Sequence, residues 1–315
     1  MAEFALLCPG QGAQHAEMLA LAADDSAASA FLNDCEQRGE FGMPLAQALH
    51  TPAHLFANRY AQPLIVAASL ANFSAVRAHL PAIDLVAGYS IGEVTAQALA
   101  GACSWPAAVA LARQRALAME SCCAADAPQA MLAVGGVAIA ELAEFCRQQH
   151  SAIALAIITA ENQAILAGPA AAIVRAELAL QALPNRHLSL STLPVHIASH
   201  TPLMSAATPL LAAALAQMTW HDSDVPVLAG LDGRISFVAA ELQQNLLAQL
   251  SHTIRWHDCM DALNEAGVRV ALELGPGAAL SRMLRARHRH IAVRSVSEFR
   301  SIQGVAQWLQ RQVAD

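Results

Sequence analysis

Short apolar segments recur along the chain, and each one ends at a cluster of glycines. Such runs, bounded by Gly and Pro, are typical of buried strands that break into loops. Helical spacing of apolar positions is the main pattern of residues 13–100, where it is punctuated by Pro44, Pro52, Pro63 and Pro81. Helices are also predicted over 202–218 and 239–250 and after Ser104. Strands separated by helices favour an α/β fold with a parallel sheet. The three apolar segments are residues 4–8, 84–87 and 268–274.

Residues 128–194 show a different pattern, in which short strands alternate with amphipathic helices. The order of the predicted elements is β-α-β-β-α-β, which is the ferredoxin-like pattern. We therefore expect an α/β-hydrolase-like large lobe, formed by residues 1–127 and 195–315, with a smaller ferredoxin-like lobe inserted at 128–194. The predicted strands of this lobe are residues 131–134, 153–159, 164–167 and 187–191, and the predicted helices are 138–149 and 169–182.

Composition and charge exclude several classes of protein. The chain has 315 residues, of which 56% are hydrophobic and 14% charged, so it can bury a sizeable core. Its net charge of −7 argues against a nucleic-acid-binding protein. The sequence contains no lysine, which excludes a Schiff-base lysine and a P-loop lysine.

Cysteine usage and the terminal segment indicate a cytoplasmic protein. Seven cysteines form no CxxC pair, which predicts free thiols in a reducing compartment. Residues 1–9 lack the basic region of a signal peptide. The uncharged stretch 201–221 contains prolines and polar residues, so no membrane span is expected there. We also expect no metal site.

A serine flanked by glycines follows the second predicted strand. Gly88 and Gly92 stand two residues on either side of Ser90, and a helix is predicted over 92–101. A serine on such a strand-to-helix turn is held exposed, and the first amides of the helix face developing negative charge. An ordinary glycine-rich turn has the same composition, but the position between a strand and a helix favours a nucleophile.

A nucleophilic serine needs a base, and the chain has thirteen histidines. His200 ends a β-like run over residues 193–200, with His196 as its local rival. Spacing alone does not separate them, because any histidine within reach could serve. Neutral imidazole is required, so activity is expected to fall at acid pH. The loop 9–12 is suited to offer an amide to an oxyanion, although a plain turn has the same composition.

Arg115 lies on the predicted helix after Ser104 and projects from its apolar side, together with Leu111 and Met119. An arginine in apolar surroundings needs a partner, because an unpaired buried charge is costly. Either a protein carboxylate or a substrate carboxylate could fill that role, and the sequence leaves both open.

Together these features resemble the malonyl-CoA:acyl-carrier-protein transacylase family, from residue 4 to about residue 290. The resemblance implies that Ser90 is the nucleophile and His200 the general base. It also implies an oxyanion hole made by the amides of Gln11 and Ile91, and a histidine oriented by the main-chain carbonyl of Gln249. The matching segments are residues 9–14 (PGQGxQ), 88–93 (GxSxGE), Arg115 with Met119, Gln163 with Gly168, 193–204, Gln249 and Leu250 with Trp256, and 273–277 (ExGPG).

The same resemblance implies that Arg115 grips the malonyl carboxylate, in a pocket that includes Tyr89, Met119, Gln163 and Ser199. No permanent cofactor is implied. The substrate is malonyl-CoA, and the acceptor is a thiol on the prosthetic group of an acyl carrier protein.

Departures from the family pattern refine the prediction. Tyr89 replaces the usual histidine before the nucleophile, as in the epsilon subunit of malonate decarboxylase, which loads malonyl onto the decarboxylase's own carrier subunit. Thr159 and Glu161 replace the Asn and Pro of an NxPxQ motif. Ser199 stands where malonyl-selective members often have Phe, which leaves malonyl and methylmalonyl both open.

The predicted function is therefore ping-pong transfer of malonyl from coenzyme A, through an ester on Ser90, to the carrier subunit of malonate decarboxylase. The alternative is the housekeeping transacylase of fatty-acid synthesis, which differs in its carrier. Two further alternatives are a serine esterase of the α/β-hydrolase class and a scaffold subunit without activity. The basic residues near the C-terminus fit either a solvated helix end or a dock for coenzyme A phosphates or an acidic carrier; they are Arg282, Arg285, Arg287 and Arg289.

Overall fold

The computed structural model describes residues 3–124, 126–149, 152–184 and 187–313. Within these ranges the chain forms two β-sheets with helices packed around them. The strands are β1 Phe4–Cys8, β2 Leu85–Gly88, β3 Gln129–Gly135, β4 Ala154–Ala160, β5 Gln163–Pro169, β6 Ser189–Thr192, β7 Val227–Leu228, β8 Ile235–Ser236, β9 Ile254–Arg255, β10 Val270–Glu273 and β11 Ala292–Ser295.

β1 lies inside the larger sheet, whose strand order is β11-β10-β1-β2-β7-β8. β2 and β10 run parallel to β1, with Cys8 opposite Gly88 and Leu7 opposite Glu273. All residues of these three strands are buried, as expected for parallel strands covered on both faces. The loops that follow them open at one edge of the sheet. The predicted α/β fold with a parallel core is confirmed.

The smaller sheet has the strand order β6-β3-β5-β4-β9. β3, β5 and β4 pair antiparallel, and the predicted β-α-β-β-α-β order is present within residues 129–192. β9 comes from residues 254–255, outside the predicted insert, and pairs parallel with β4. The fifth strand therefore comes from outside residues 128–194. The division of the chain at residues 128 and 194 stays a prediction.

Helices cover both sheets, and α4 is the longest of those described. Its nineteen residues are almost all buried, and it packs against α1 and α6. The helices are α1 Ser26–Gln37, α2 Leu45–His50, α3 Pro52–Phe56, α4 Asn58–Val76, α5 Gly92–Leu99, α6 Trp105–Glu120, α7 Ile139–Gln148, α8 Ala170–Gln181, α9 Ala207–Leu215, α10 Ala239–Ala248, α11 Trp256–Glu265, α12 Ala279–Arg287 and α13 Ile302–Val313.

Some predicted helices differ in their limits. Pro63 lies inside α4 rather than at a break. The helix predicted over 202–218 is a 3₁₀ turn, Pro202–Met204, followed by α9, and the helix predicted over 239–250 ends at Ala248. No helix in the described ranges is long and apolar enough to cross a membrane. The seven cysteines are free thiols.

Candidate active site

Ser90 occupies a strained turn between β2 and α5. Its φ is +56°, in the left-handed region that few non-glycine residues adopt. The two flanking glycines are required by close backbone packing. A Cβ on Gly88 would lie 2.3 Å from the main chain of Glu93, and one on Gly92 would lie 2.0 Å from the carbonyl oxygen of Cys8. The turn therefore presents the serine hydroxyl at the edge where the parallel strands end.

His200 also has a positive φ, +62°, but its segment contains no regular structure. The β-like run predicted over residues 193–200 is therefore wrong. Two N–H groups of this segment bond to distant residues: that of Ala198 donates to Gln129 Oε1 at 2.7 Å, and that of His200 donates to the Leu250 carbonyl at 2.9 Å.

The two residues meet across 110 positions of sequence. Ser90 Oγ lies 2.8 Å from His200 Nε2, and His200 Nδ1 lies 2.5 Å from the main-chain carbonyl of Gln249. A carbonyl oxygen only accepts, so Nδ1 carries the proton and Nε2 is free to accept the Ser90 proton. Burial, aided by the positive charge of Arg115, lowers the pKa of His200 to about 3. The imidazole is neutral at ordinary pH.

Two amides lie near this pair. Gln11 lines the same cavity as Ser90, and a Cβ on Gly10 would approach Tyr89 to 2.9 Å, so the loop after β1 packs directly on the serine turn. Ile91 stands at the start of α5. Within the described residues neither the Gln11 nor the Ile91 amide donates a hydrogen bond to the protein. Both are available to a ligand oxygen.

Arg115 is buried on α6, with 1% of its surface exposed. Nη1 donates to Gln62 Oε1 at 2.8 Å and Nη2 to Gln249 Oε1 at 3.3 Å, while the buried Nε has no acceptor. Burial lowers its pKa to about 10, against the effect of Glu93, so it stays charged. Within the described ranges no carboxylate forms an ion pair with it. The structural salt bridge left open by the sequence is thus absent from this part of the chain.

The cavity over Ser90 and His200 has a volume of about 60 Å³, and its walls include Tyr89 and Ser199. A second cavity of about 300 Å³ adjoins it through Tyr89, and Gln163 lines this one. Met119 is not among the lining residues of either cavity. It is buried, and its sulfur lies 3.4 Å from Gln62 Nε2. The assignment of Met119 to the acyl pocket stays a prediction.

Two buried residues of this network were missed at the level of sequence. Gln62 interrupts an apolar helix, and Glu93 belongs to the nucleophile motif, yet neither was assigned a role. Both are at most 1% exposed. For Gln62, a polar side chain within an apolar helix could have indicated a functional contact.

The basic residues near the C-terminus are partly used within the protein. Arg287 bonds to both oxygens of Asp261 at 2.6 Å and to Glu161 at 2.8 Å. Arg285 lies 3.7 Å from Glu298, while Arg282 and Arg289 are exposed. No group of residues suited to hold a metal ion occurs in the described ranges.

Comparison with known proteins identifies the family. Residues 5–312 match the acyl transferase domain. The chain belongs to the acyl transferase domain family. It is therefore an acyltransferase, and the hydrolase and scaffold alternatives are not supported. The matched range spans Ser90, Arg115 and His200.

Relatives of this acyltransferase cover nearly all of its length. It is 31% identical over 295 residues to the malonyl CoA-acyl carrier protein transacylase of Mycobacterium tuberculosis, covering 93% of this chain and 95% of that protein. The crystal structure of the malonyl-CoA:acyl carrier protein transacylase of Xanthomonas oryzae superposes with a TM-score of 0.89 at 29% identity, covering 99% and 98% of the two chains.

A third similar structure contains a partner protein. It is a malonyl-transacylase in complex with a type II PKS acyl-carrier protein, with a TM-score of 0.89 at 26% identity, covering 97% of this chain and 99% of that one.

Proposed function

We propose that this acyltransferase moves a malonyl group from malonyl-CoA to the thiol of an acyl carrier protein, through an ester on Ser90. The observation that carries the proposal is the 2.8 Å contact between Ser90 Oγ and His200 Nε2. A serine whose proton has a neutral acceptor at this distance is an activated nucleophile. The names of the relatives support malonyl-CoA and a carrier protein as the two substrates.

In the first half of the reaction, His200 Nε2 takes the proton of Ser90, and Oγ attacks the thioester carbonyl. The negative oxygen of the tetrahedral intermediate accepts hydrogen bonds from the Gln11 and Ile91 amides. Collapse breaks the C–S bond, and the coenzyme A sulfur leaves with the proton from Nε2. The Gln249 carbonyl stabilises the transient imidazolium, so an aspartate is unnecessary.

In the second half, the carrier thiol enters the same site. His200 takes the thiol proton, the sulfur attacks the acyl-Ser90 ester, and the serine oxygen leaves with that proton. The adjoining cavity of about 300 Å³ offers space for the arm that carries each thiol. Because both thiols use one site in turn, ping-pong kinetics are expected.

Arg115 is proposed to bind the free carboxylate of the malonyl group. Its buried Nε has no acceptor, and its terminal nitrogens bond to the neutral side-chain amides of Gln62 and Gln249, which leave its charge uncompensated. A buried unpaired donor is costly unless a ligand satisfies it. The guanidinium fork matches a carboxylate.

The test is the intact mass of the protein after mixing with malonyl-CoA, methylmalonyl-CoA or acetyl-CoA. Wild type is expected to gain a malonyl group in preference to acetyl. Arg115→Ala should reduce that preference by about 100-fold, the value of a charge-assisted pair. Arg113→Ala, on the same helix but partly exposed, is the matched control and should keep it. An unchanged preference in Arg115→Ala would contradict the assignment.

The identity of the carrier separates two versions of the function. The relatives' names support the housekeeping transacylase of fatty-acid synthesis better than the decarboxylase subunit. Tyr89 supports the decarboxylase role; its ring packs edge-on against Trp256, with ring centroids 5.3 Å apart. Parallel transfer assays with the two carrier proteins decide the matter. Faster loading of the fatty-acid carrier selects the housekeeping role, and faster loading of the decarboxylase carrier selects the other.

A further inference from the structure

Glu93 is a buried carboxylate that the proposed chemistry does not use. It lies in the first turn of α5, three residues after Ser90, with 1% of its surface exposed. Its Oε2 accepts hydrogen bonds from Gln249 Nε2 at 3.0 Å and from the Gly230 amide at 3.2 Å. A buried carboxyl group is costly, so its presence beside the nucleophile calls for an explanation.

Gln249 is the residue through which Glu93 reaches the site. Its main-chain oxygen holds His200 Nδ1 at 2.5 Å, and its side-chain oxygen accepts from Arg115 Nη2. Arginine only donates, and the Glu93 oxygen accepts, so the Gln249 amide has one satisfied orientation. Gln249 therefore connects the candidate base with the candidate carboxylate-binding group. Glu93 accepts a hydrogen bond from the side-chain nitrogen of this glutamine.

The same contact joins the two halves of the nucleophile–base pair. Glu93 is on the helix that begins behind Ser90, whereas residues 249–250 hold His200 at two points, through Nδ1 and through the 2.9 Å bond from its main-chain N–H to the Leu250 carbonyl. The Glu93–Gln249 bond thus spans 156 positions of sequence and fixes one segment against the other. A buried hydrogen bond between distant segments limits their movement relative to each other.

The contact does not depend on a charge at Glu93. Burial raises the pKa of this carboxyl to about 8, against the opposing effects of the Gly230 amide and Arg115. Oε1 has no hydrogen-bond partner, so a proton can reside there while Oε2 continues to accept. A glutamine at this position offers an equivalent oxygen, and a leucine does not.

We propose that Glu93 is a positioning residue: through the side chain of Gln249 it fixes both His200 against Ser90 and Arg115 towards the acyl carboxylate. The Arg115 part rests on the proposed function, since it assumes a malonyl substrate. The His200 part requires only that Ser90 and His200 act as a pair.

Three variants of the full chain test this inference. Glu93→Leu removes the acceptor, and Glu93→Gln restores it without the charge. Glu273→Leu is the matched control, because Glu273 is also a buried carboxylate that accepts two main-chain N–H groups, from Leu280 and Ser281, but it lies outside the network. The measurements are the rate of Ser90 acylation, the malonyl-to-acetyl ratio and the downfield proton NMR signal of His200 Nδ1–H, assigned by its loss in His200→Ala.

Glu93→Leu is expected to slow acylation by about 100-fold, as for a misplaced reacting group, and to lower the malonyl-to-acetyl ratio by about tenfold. The Nδ1–H signal should shift or disappear. Glu93→Gln should recover the signal and most of the rate. Glu273→Leu should lose thermal stability but keep the signal, the ratio and the rate of its folded fraction.

Several outcomes overturn the inference. One is wild-type acylation, ratio and signal in Glu93→Leu; another is an equal loss in Glu273→Leu, which would assign the effect to general loosening. If Glu93→Leu does not fold, Gln249→Met removes the same bond from its other end, and normal values there have the same meaning. A wild-type protein that never gains malonyl refutes the proposed function instead. In that case the NMR signal still tests whether Glu93 positions His200.

Discussion

The Ser90 turn and the His200 segment each hold a residue at positive φ, but by different kinds of contact. Both hold a non-glycine residue at positive φ, +56° and +62°. Ser90 is held by its immediate neighbours, because Gly88 and Gly92 let the main chain pack against itself and against β1. His200 is held by distant groups, among them Gln249, 49 positions away.

The comparison shows which contacts can hold a residue at positive φ in a turn and in an irregular segment. A tight turn between a strand and a helix is defined by a few residues, so two glycines suffice. An irregular segment has no ladder of hydrogen bonds, and each of its polar groups needs its own partner. The nucleophile is therefore local in origin, and the base depends on the assembled fold.

Removing either functional group has the largest expected effect, because the two regions act as one unit. Ser90→Ala should abolish acylation, because it removes the oxygen that is acylated, and His200→Ala should slow acylation by about 10⁴-fold or more. Rapid-quench mass spectrometry of the acyl-enzyme measures this. A malonyl adduct on Ser90→Ala would place the nucleophile elsewhere.

Breaking the serine turn locally comes next. In Gly92→Ala the new Cβ would lie 2.0 Å from a main-chain oxygen that cannot move cheaply, so the free energy of unfolding should fall by about 3 kcal/mol or more. Urea denaturation measures it. Gly304→Ala, whose Cβ meets its nearest atom at 3.5 Å, is the control and should change stability little. Equal midpoints for the two variants would refute the packing argument.

Weakening the hydrogen bonds that hold the His200 segment should lower stability and acylation rate, but less than removing His200 itself. Gln129→Leu removes the acceptor of the Ala198 N–H and a donor to the Cys122 carbonyl. We expect a loss of about 1–2 kcal/mol in stability and roughly tenfold in acylation rate. Stopped-flow acylation and urea denaturation test both, with exposed Gln148→Leu as the control. A rate loss as large as that of His200→Ala would show that the segment collapses instead of loosening.

The smallest effect is expected from mild acid. Burial holds the pKa of His200 near 3, so the neutral form that accepts the proton persists as the pH falls. Acylation should be nearly flat from about pH 8 to about pH 5, whereas an unperturbed histidine loses half its neutral form near pH 6.5. The fall in activity at acid pH, which the sequence predicts, is therefore expected at a lower pH. Single-turnover pH profiles measure it, and a midpoint near 6.5 in wild type would contradict it.

Removing Arg115 sharpens the pH comparison, because its positive charge lowers the pKa of His200. Arg115→Ala should move the acid limb of the acetyl-transfer profile to higher pH. An unmoved limb would assign the low pKa to burial alone.

The periodicity of the sequence predicted the fold more fully than the site. β1, β2 and β10 lie where apolar runs meet glycines, and residues 129–192 follow the predicted order of strands and helices. The β-like run predicted before His200 is not a strand, because alternation of apolar residues also occurs in irregular buried segments. β9 could not be foreseen either, since a two-residue strand has no periodicity to detect.

The sequence by itself determined the strands β1, β2 and β10, the glycine turn that exposes Ser90 and the family to which the chain belongs, because these depend on residues close together in the chain. Only the tertiary structure showed the contact between His200 and Ser90, the glutamine that joins His200 to Arg115, and the bond from that glutamine to Glu93. Those contacts cross 49 to 156 positions, and the burial that shifts their pKa values exists only after the sheets and helices have packed together.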